Sequence, residues 1–142
     1  MPPPWLLWAL LSATFAALTA IFAKIGLEKV DPDLATLVRT FIILGVLVAL
    51  IAVTGKWSNP FALSRRTWLF LTLSALATGA SWICYFRALK VGQVSQVAPI
   101  DKLGVVLVAL FAVLFLGERP TATHWTGIAM MALGAVFVSL RR

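Results

Sequence analysis

Apolar residues fall in five long, almost unbroken runs, and polar residues are confined to the short stretches between them. The runs predict helices over about 5–23, 34–54, 67–89, 94–116 and 122–140. Each is close to the roughly 20 residues that an α-helix needs to cross a bilayer. Soluble helices average about 11–12 residues. Transmembrane β-strands would alternate apolar and polar positions over about 10 residues, and no such alternation is present. The pattern predicts an all-α polytopic membrane protein, a bundle of five transmembrane helices filling residues 1–142.

Breakers separate the runs. Pro2, Pro3 and Pro4 precede the first, where proline suits a helix start. Asp31-Pro32-Asp33 reads as a turn and helix start. Gly55 to Pro60 is an interfacial loop, with Trp57 and Trp68 placed for the aromatic belt. Gly117-Glu118-Arg119-Pro120 ends one helix with glycine and opens the next with proline, which allows an antiparallel pair. The first run is expected to be a span rather than a secretory signal, because the residues before it carry no Lys or Arg. Small residues mark faces for close helix packing: Ser12, Ala16 and Ala20 in span one, Gly79 in span three, and Gly127 and Gly134 in span five.

Composition sharpens this picture. Hydrophobic residues make up 61% and charged residues 12%, far too little polar surface for a soluble domain. The five spans leave room only for loops and ends. The net charge of +7 rests on cations at span ends, where they meet anionic headgroups. The expected partner is therefore the lipid bilayer, and no nucleic acid is expected. Cys84 and His124 are each the sole residue of their type. Neither makes a disulfide or a metal site alone, so no metal or cofactor is expected. No phosphate loop, nucleophile elbow or paired metal-ligand spacing is present, and no enzyme is expected.

The remaining chemical signal is charge inside the apolar runs, which is costly and functional by default. Arg39, Arg87, Asp101 and Lys102 qualify. Arg39 and Arg87 lie near span ends, where long cations snorkel to headgroups; otherwise they line a cavity or pair with Asp101. Asp101 lies about 10 Å into span four at about 1.5 Å per residue. Pro99 removes a backbone N–H at that level and frees the Ser95 carbonyl. Gln96, that carbonyl and Asp101 then form one polar patch, of the kind that broken helices offer to solutes and ions. Asp101 and Lys102 are about 100° apart on a helix and do not face each other squarely, so each is expected to pair across helices, for example with Arg87 or Arg39. Trp82 and Tyr85, with Phe86, are candidates for stacking on an organic substrate, although such a stripe also serves as packing.

Three stretches resemble one known family. Tyr85-Phe86-Arg87-Ala88-Leu89-Lys90-Val91-Gly92, then Val97-Ala98-Pro99-Ile100, then Leu114-Phe115-Leu116-Gly117-Glu118-Arg119-Pro120 resemble, in order and spacing, the EamA-type repeat of the drug/metabolite transporter superfamily. Ala23-Lys24-Ile25-Gly26 before a short acidic loop is similar too. The resemblance covers essentially the whole chain and is to the single-repeat, five-span bacterial and archaeal group. It differs from the four-span small multidrug resistance proteins, which need a central Glu in span one; here span one has no acid before Lys24.

The resemblance implies a small secondary transporter of the cytoplasmic (inner) membrane, moving a small metabolite or drug-like molecule by alternating access. Rocking one repeat against another needs two repeats. A homodimer, or a heterodimer with a similar five-span chain, is therefore expected. The alternative is a non-transport membrane subunit, an assembly or regulatory partner of a larger complex. The cation bias is weak: Lys56, Arg65, Arg66 and Arg119 on the face of the N-terminus stand against Lys24, Lys29, Lys90, Arg141 and Arg142 on the other. Adding the embedded Arg39, Arg87 and Lys102 gives eight against four, and a cytoplasmic C-terminus if one orientation prevails. Near balance without them allows both orientations, hence an antiparallel dimer.

Overall fold

A computed structural model describes residues 3–140. All regular elements among them are helices: α1 (Pro4–Gly26), α2 (Pro32–Val53), a 3₁₀ turn (Pro60–Ala62), α3 (Arg65–Val91), α4 (Val94–Asp101), α5 (Gly104–Leu116) and α6 (Ala122–Leu140). Five membrane-length spans result, with α4 and α5 together making the fourth. The expected all-α five-span fold is the one observed. Only 6% of each span's most apolar window is buried within the chain. The exposed Leu, Ile, Val and Phe side chains therefore need lipid or a partner chain around them.

The boundaries follow local chemistry. The α2 helix starts two residues earlier than the apolar run suggests, because Asp31 is its N-cap and Pro32 opens its first turn. The Asp31 carboxylate accepts from the backbone N–H of Asp33 (2.9 Å) and Leu34 (3.1 Å). Such caps are preferred at helix starts, and proline at the first position leaves no orphan donor. Thr54 closes α2, its hydroxyl donating to the Leu50 carbonyl at 2.7 Å, and Gly55 turns the chain at φ +65°. In the loop that follows, the Trp68 indole N–H donates to the Pro60 carbonyl at 3.2 Å. The Ser64 hydroxyl accepts from Thr67 N–H at 3.1 Å and caps α3.

The fourth span is broken between Asp101 and Gly104, after Pro99, which itself lies inside α4. After it, backbone donors reach three residues back: Leu103 N–H to Ile100 (2.9 Å), Val105 to Lys102 (3.0 Å) and Val106 to Leu103 (3.0 Å). Tighter 3₁₀ bonding joins α4 to α5. At the end of α5, Gly117 adopts φ +66°, and Glu118 N–H closes on the Ala112 carbonyl at 3.1 Å. The chain then reverses through Pro120. The Thr121 N–H donates to His124 Nδ1 at 3.2 Å, so the lone histidine caps the start of α6.

The chain packs as two units, residues 3–22 with 91–140, and Ala23–Lys90. In the first, α6 packs on α4 and α5, and Ala20 and Ala135 are buried. Ser12 and Ala16 are exposed. A Cβ placed at Gly79, Gly127 or Gly134 would meet nothing within 4 Å. Each of these glycines therefore leaves room for at least a methyl group. In the second unit the core is small and lies at one end: Leu27, Thr36, Phe86 and Leu89 are its buried residues.

That end is tied together by lysines reaching backbone carbonyls. Lys24, in the last turn of α1, donates to the Leu89 carbonyl at 2.6 Å. Lys90, in the last turn of α3, donates to the carbonyls of Leu27, Glu28 (3.0 Å) and Val30 (3.1 Å). The two helix C-termini thus exchange cations. Each lysine satisfies carbonyls that lack an intrahelical donor and sits at the negative end of a helix dipole.

Candidate functional site

A groove of about 640 Å³ runs between α2 and α3, within the second unit. Asp33, Thr36 and Thr40 line it from α2; Ser74, Thr78, Gly79 and Trp82 line it from α3. Spacings of three and four residues put each set on one helix face. Lining residues from Leu71 to Ile83 cover about 18 Å at about 1.5 Å per residue, more than half of a hydrocarbon core about 30 Å thick.

Most of the hydroxyls are already committed as donors. Thr36 donates to the Pro32 carbonyl (2.8 Å), Thr40 to Thr36 (2.7 Å) and Thr78 to Ser74 (2.9 Å). This back-bonding lets a hydroxyl sit in an apolar segment without an orphan proton. What these threonines offer the groove is oxygen lone pairs.

At the groove mouth Asp33 meets Arg87. The guanidinium is bidentate: Nε donates to Oδ1 at 2.9 Å and Nη2 to Oδ2 at 2.6 Å. Arg39 is held differently. Its guanidinium lies 4.4 Å from the Trp82 ring centroid and 5.3 Å from that of Phe86, a cation–π arrangement. Tyr85 meets Phe86 edge-on at 6.3 Å between ring centroids.

These contacts revise several expectations. Asp101 and the arginines lie in different units. Within the first unit Asp101 pairs with Lys102, at 3.4 Å, where the helix breaks after Asp101 and the long lysine side chain folds back on its neighbour. Arg87 has Asp33 instead. The sequence pattern puts Asp33 in a loop, yet α2 begins at Pro32, so a second carboxylate stands inside a span. Arg39 stacks on aromatic rings. Gln96, Pro99, Asp101 and Lys102 lie in the first unit, and Arg39, Trp82, Tyr85 and Arg87 in the second. The threonine and serine rows are not among the residues that charge and apolar runs single out. Their signal is nevertheless present in the sequence, as Asp33-Thr36-Thr40 and Ser74-Thr78-Trp82 at helical spacing inside apolar runs.

A second groove of about 720 Å³ lies between α5 and α6, lined by Val108, Ala112, Gly127 and Met131 and closed at one end by Glu118, Arg119 and His124. It is mostly apolar. Cys84 is a free, exposed thiol. No group of three or more potential metal ligands occurs among the described residues.

The arrangement is a polar track along two apolar helices. The EamA-like transporter family model matches residues 3–140. A Sinorhizobium sp. protein named as an uncharacterized transporter in the cobO 3′ region is 55% identical over 140 residues, 99% of each chain. An uncharacterized protein of Methanocaldococcus jannaschii is 28% identical over 131 residues, 92% of this chain and 93% of its own. The probable 4-amino-4-deoxy-L-arabinose-phosphoundecaprenol flippase subunit ArnE of Yersinia pestis is 33% identical over 86 residues, 58% of this chain and 74% of that one. No solved structure matches. With its five spans and a family match over nearly its whole length, the chain belongs to the EamA-like transporter family and is a multi-pass membrane transporter.

Proposed function

We propose that the chain is one half of a small secondary transporter of the bacterial or archaeal cytoplasmic membrane, and that the α2–α3 groove is this half's share of the solute path. One observation carries the reading: the Asp33, Thr36, Thr40, Ser74, Thr78 and Trp82 row lies along a span, where polar side chains are costly unless they face a partner or a water-filled passage. The groove has walls from two helices only. A second five-span chain supplies the facing wall, and alternating access follows from rocking one copy against the other. Asp101, Lys102, Gln96 and Pro99, at the break in the fourth span, are a second candidate polar contact for solute or coupling ion.

The test does not depend on the identity of the substrate. Liposomes loaded with a cell metabolite extract, with and without the protein, are compared by mass spectrometry of what they retain. Wild-type protein is expected to deplete a defined subset. Gly79→Leu fills the groove, and because a Cβ there meets nothing within 4 Å, the variant is expected to fold normally and lose the flux by about tenfold or more, since a blocked path cannot be bypassed. Depletion that is absent in wild type, or unchanged in Gly79→Leu with its oligomeric state preserved, rejects the path.

The partner is expected to be a second copy inserted in the opposite orientation, which recreates the inverted-repeat pair of larger transporters. Cysteine labelling at the C-terminus, in a background with Cys84 replaced, is expected to reach the tag from both sides of the membrane. A tag accessible from one side in all molecules rejects the antiparallel homodimer. The second reading is an obligate subunit working with an unlike chain, which is favoured by the word subunit in the name of the ArnE relative. Flux that appears only after co-reconstitution with a similar five-span chain supports it.

A further inference from the structure

The two arginines of the second unit differ in one respect that bears on the ligand. The N–H edge of Arg87 is occupied by both oxygens of Asp33. Arg39 gives its flat face to Trp82 and Phe86, and stacking leaves the in-plane N–H edge uncommitted. The two ion pairs among the described residues are Arg87–Asp33 and Lys102–Asp101, and neither includes Arg39. Arg39 lies about 10 Å along α2 from Pro32 at about 1.5 Å per residue. At that depth no acidic side chain among the described residues pairs with the guanidinium. With Asp33 and Arg87 neutralising each other, it is the net charge beside the groove, and Trp82 both carries it and lines the groove.

We propose that Arg39 anchors an anionic group, a carboxylate or phosphate, of the transported molecule, held bidentately by the guanidinium edge while Trp82 fixes the plane. Planar fork-to-oxyanion geometry is what distinguishes Arg from Lys as such an anchor. The groove threonines, offering lone pairs, then receive hydroxyl or amine hydrogens from the rest of the solute. The inference rests on the transport reading above, since it names the charge of the solute that the path carries.

Binding is measured apart from transport, by thermal unfolding of the whole protein in a neutral maltoside detergent with glycerol 3-phosphate, succinate or, as the cationic control, choline. Either anion is expected to raise Tm by about 3 °C or more, and choline to leave it unchanged. Arg39→Gln is expected to abolish the rise, Arg39→Lys to weaken it about tenfold in apparent affinity, and Arg66→Gln, at the start of α3, to leave it intact. Should Arg39→Gln fail to fold, tryptophan emission decides: anion binding changes it in wild type and not in Trp82→Phe. No response to either anion, or a response that survives Arg39→Gln, overturns the site. A response confined to phosphatidylglycerol added against phosphatidylcholine, and lost in Arg39→Gln, assigns the anion to a lipid headgroup and overturns the solute reading. Full flux in Arg39→Gln liposomes rejects the anchor while the transport reading stands. Anion binding at Arg39 without flux in any liposome has the reverse meaning.

Discussion

Exchanging Asp33 and Arg87 for one another is expected to restore part of the flux that either single charge removal takes away. The pair is bidentate, 2.6 Å at its shortest, with both side chains about half exposed (48% and 63%) within the chain. A pair so open to solvent contributes little to stability. Asp33→Ala or Arg87→Ala is therefore expected to leave folded yield and Tm close to wild type. Flux is another matter. Asp33 lines the groove, and removing either partner leaves an unmatched charge at the edge of the proposed solute path. A loss of about 10–100-fold is expected for each single change, the scale at which truncating one partner of a close charge pair is felt. The exchanged pair keeps the attraction, so its loss is smaller than the sum of the singles in a double-mutant cycle. It does not recover fully. Asp33 stands in the first turn of α2 and Arg87 in the last turns of α3, so both now complement a helix dipole and both would oppose it after exchange. Additive losses in the cycle reject the coupling. Equal loss of flux and of folded protein assigns the pair to structure.

Leu89→Ala is expected to be the most destabilising single truncation in the second unit. Leu89 is fully buried, and with Leu27 it is one of the two most deeply enclosed side chains among the described residues. Within a bilayer the transfer part of a Leu→Ala cost shrinks, because lipid is as apolar as the protein interior. The cavity remains, and the loss is expected to be about 2–3 kcal/mol, the low end of the Leu→Ala range. The effect extends beyond packing. The Leu89 carbonyl receives Lys24, and the neighbouring Lys90 holds the carbonyls that follow α1. A collapse around residue 89 therefore loosens the cation exchange between the ends of α1 and α3. Titration with sodium dodecyl sulfate, followed by circular dichroism, measures the change. Leu76→Ala is the comparison, since Leu76 on the same helix is 66% exposed and should be near neutral. Equal responses at the two positions would show that the core is not where stability resides.

The family motif acquires a physical reading from these contacts. In Tyr85-Phe86-Arg87-Ala88-Leu89-Lys90, Phe86 and Leu89 are the buried side chains, and Arg87 and Lys90 are the ones that bind Asp33 and the loop carbonyls. One helical turn thus seals the core on one side and fixes α2 and the end of α1 on the other.

Much of this protein is determined by the sequence alone. Long apolar runs without strand alternation have one stable form in a bilayer, a helix that satisfies every backbone group internally. The five spans and the all-α class therefore follow from composition and length. The end of α5 follows from a local rule as well: Gly117 accepts the left-handed conformation that closes it. What periodicity does not determine is which charges meet. Arg87 finds Asp33 across 54 residues of chain, and Lys24 finds Leu89 across 65. Such partners are chosen by which helix faces come together, a choice that depends on the summed packing of whole helices and not on any local pattern. The Asp31 cap shifts the start of α2 enough to carry Asp33 from the loop into the groove. The stacking of Arg39 on Trp82 likewise needs α2 and α3 side by side before it exists. Spans are legible in the sequence because each is settled by its own residues and the lipid around it, whereas the site is not, because its charge pair and its cation–π stack each belong to two helices at once.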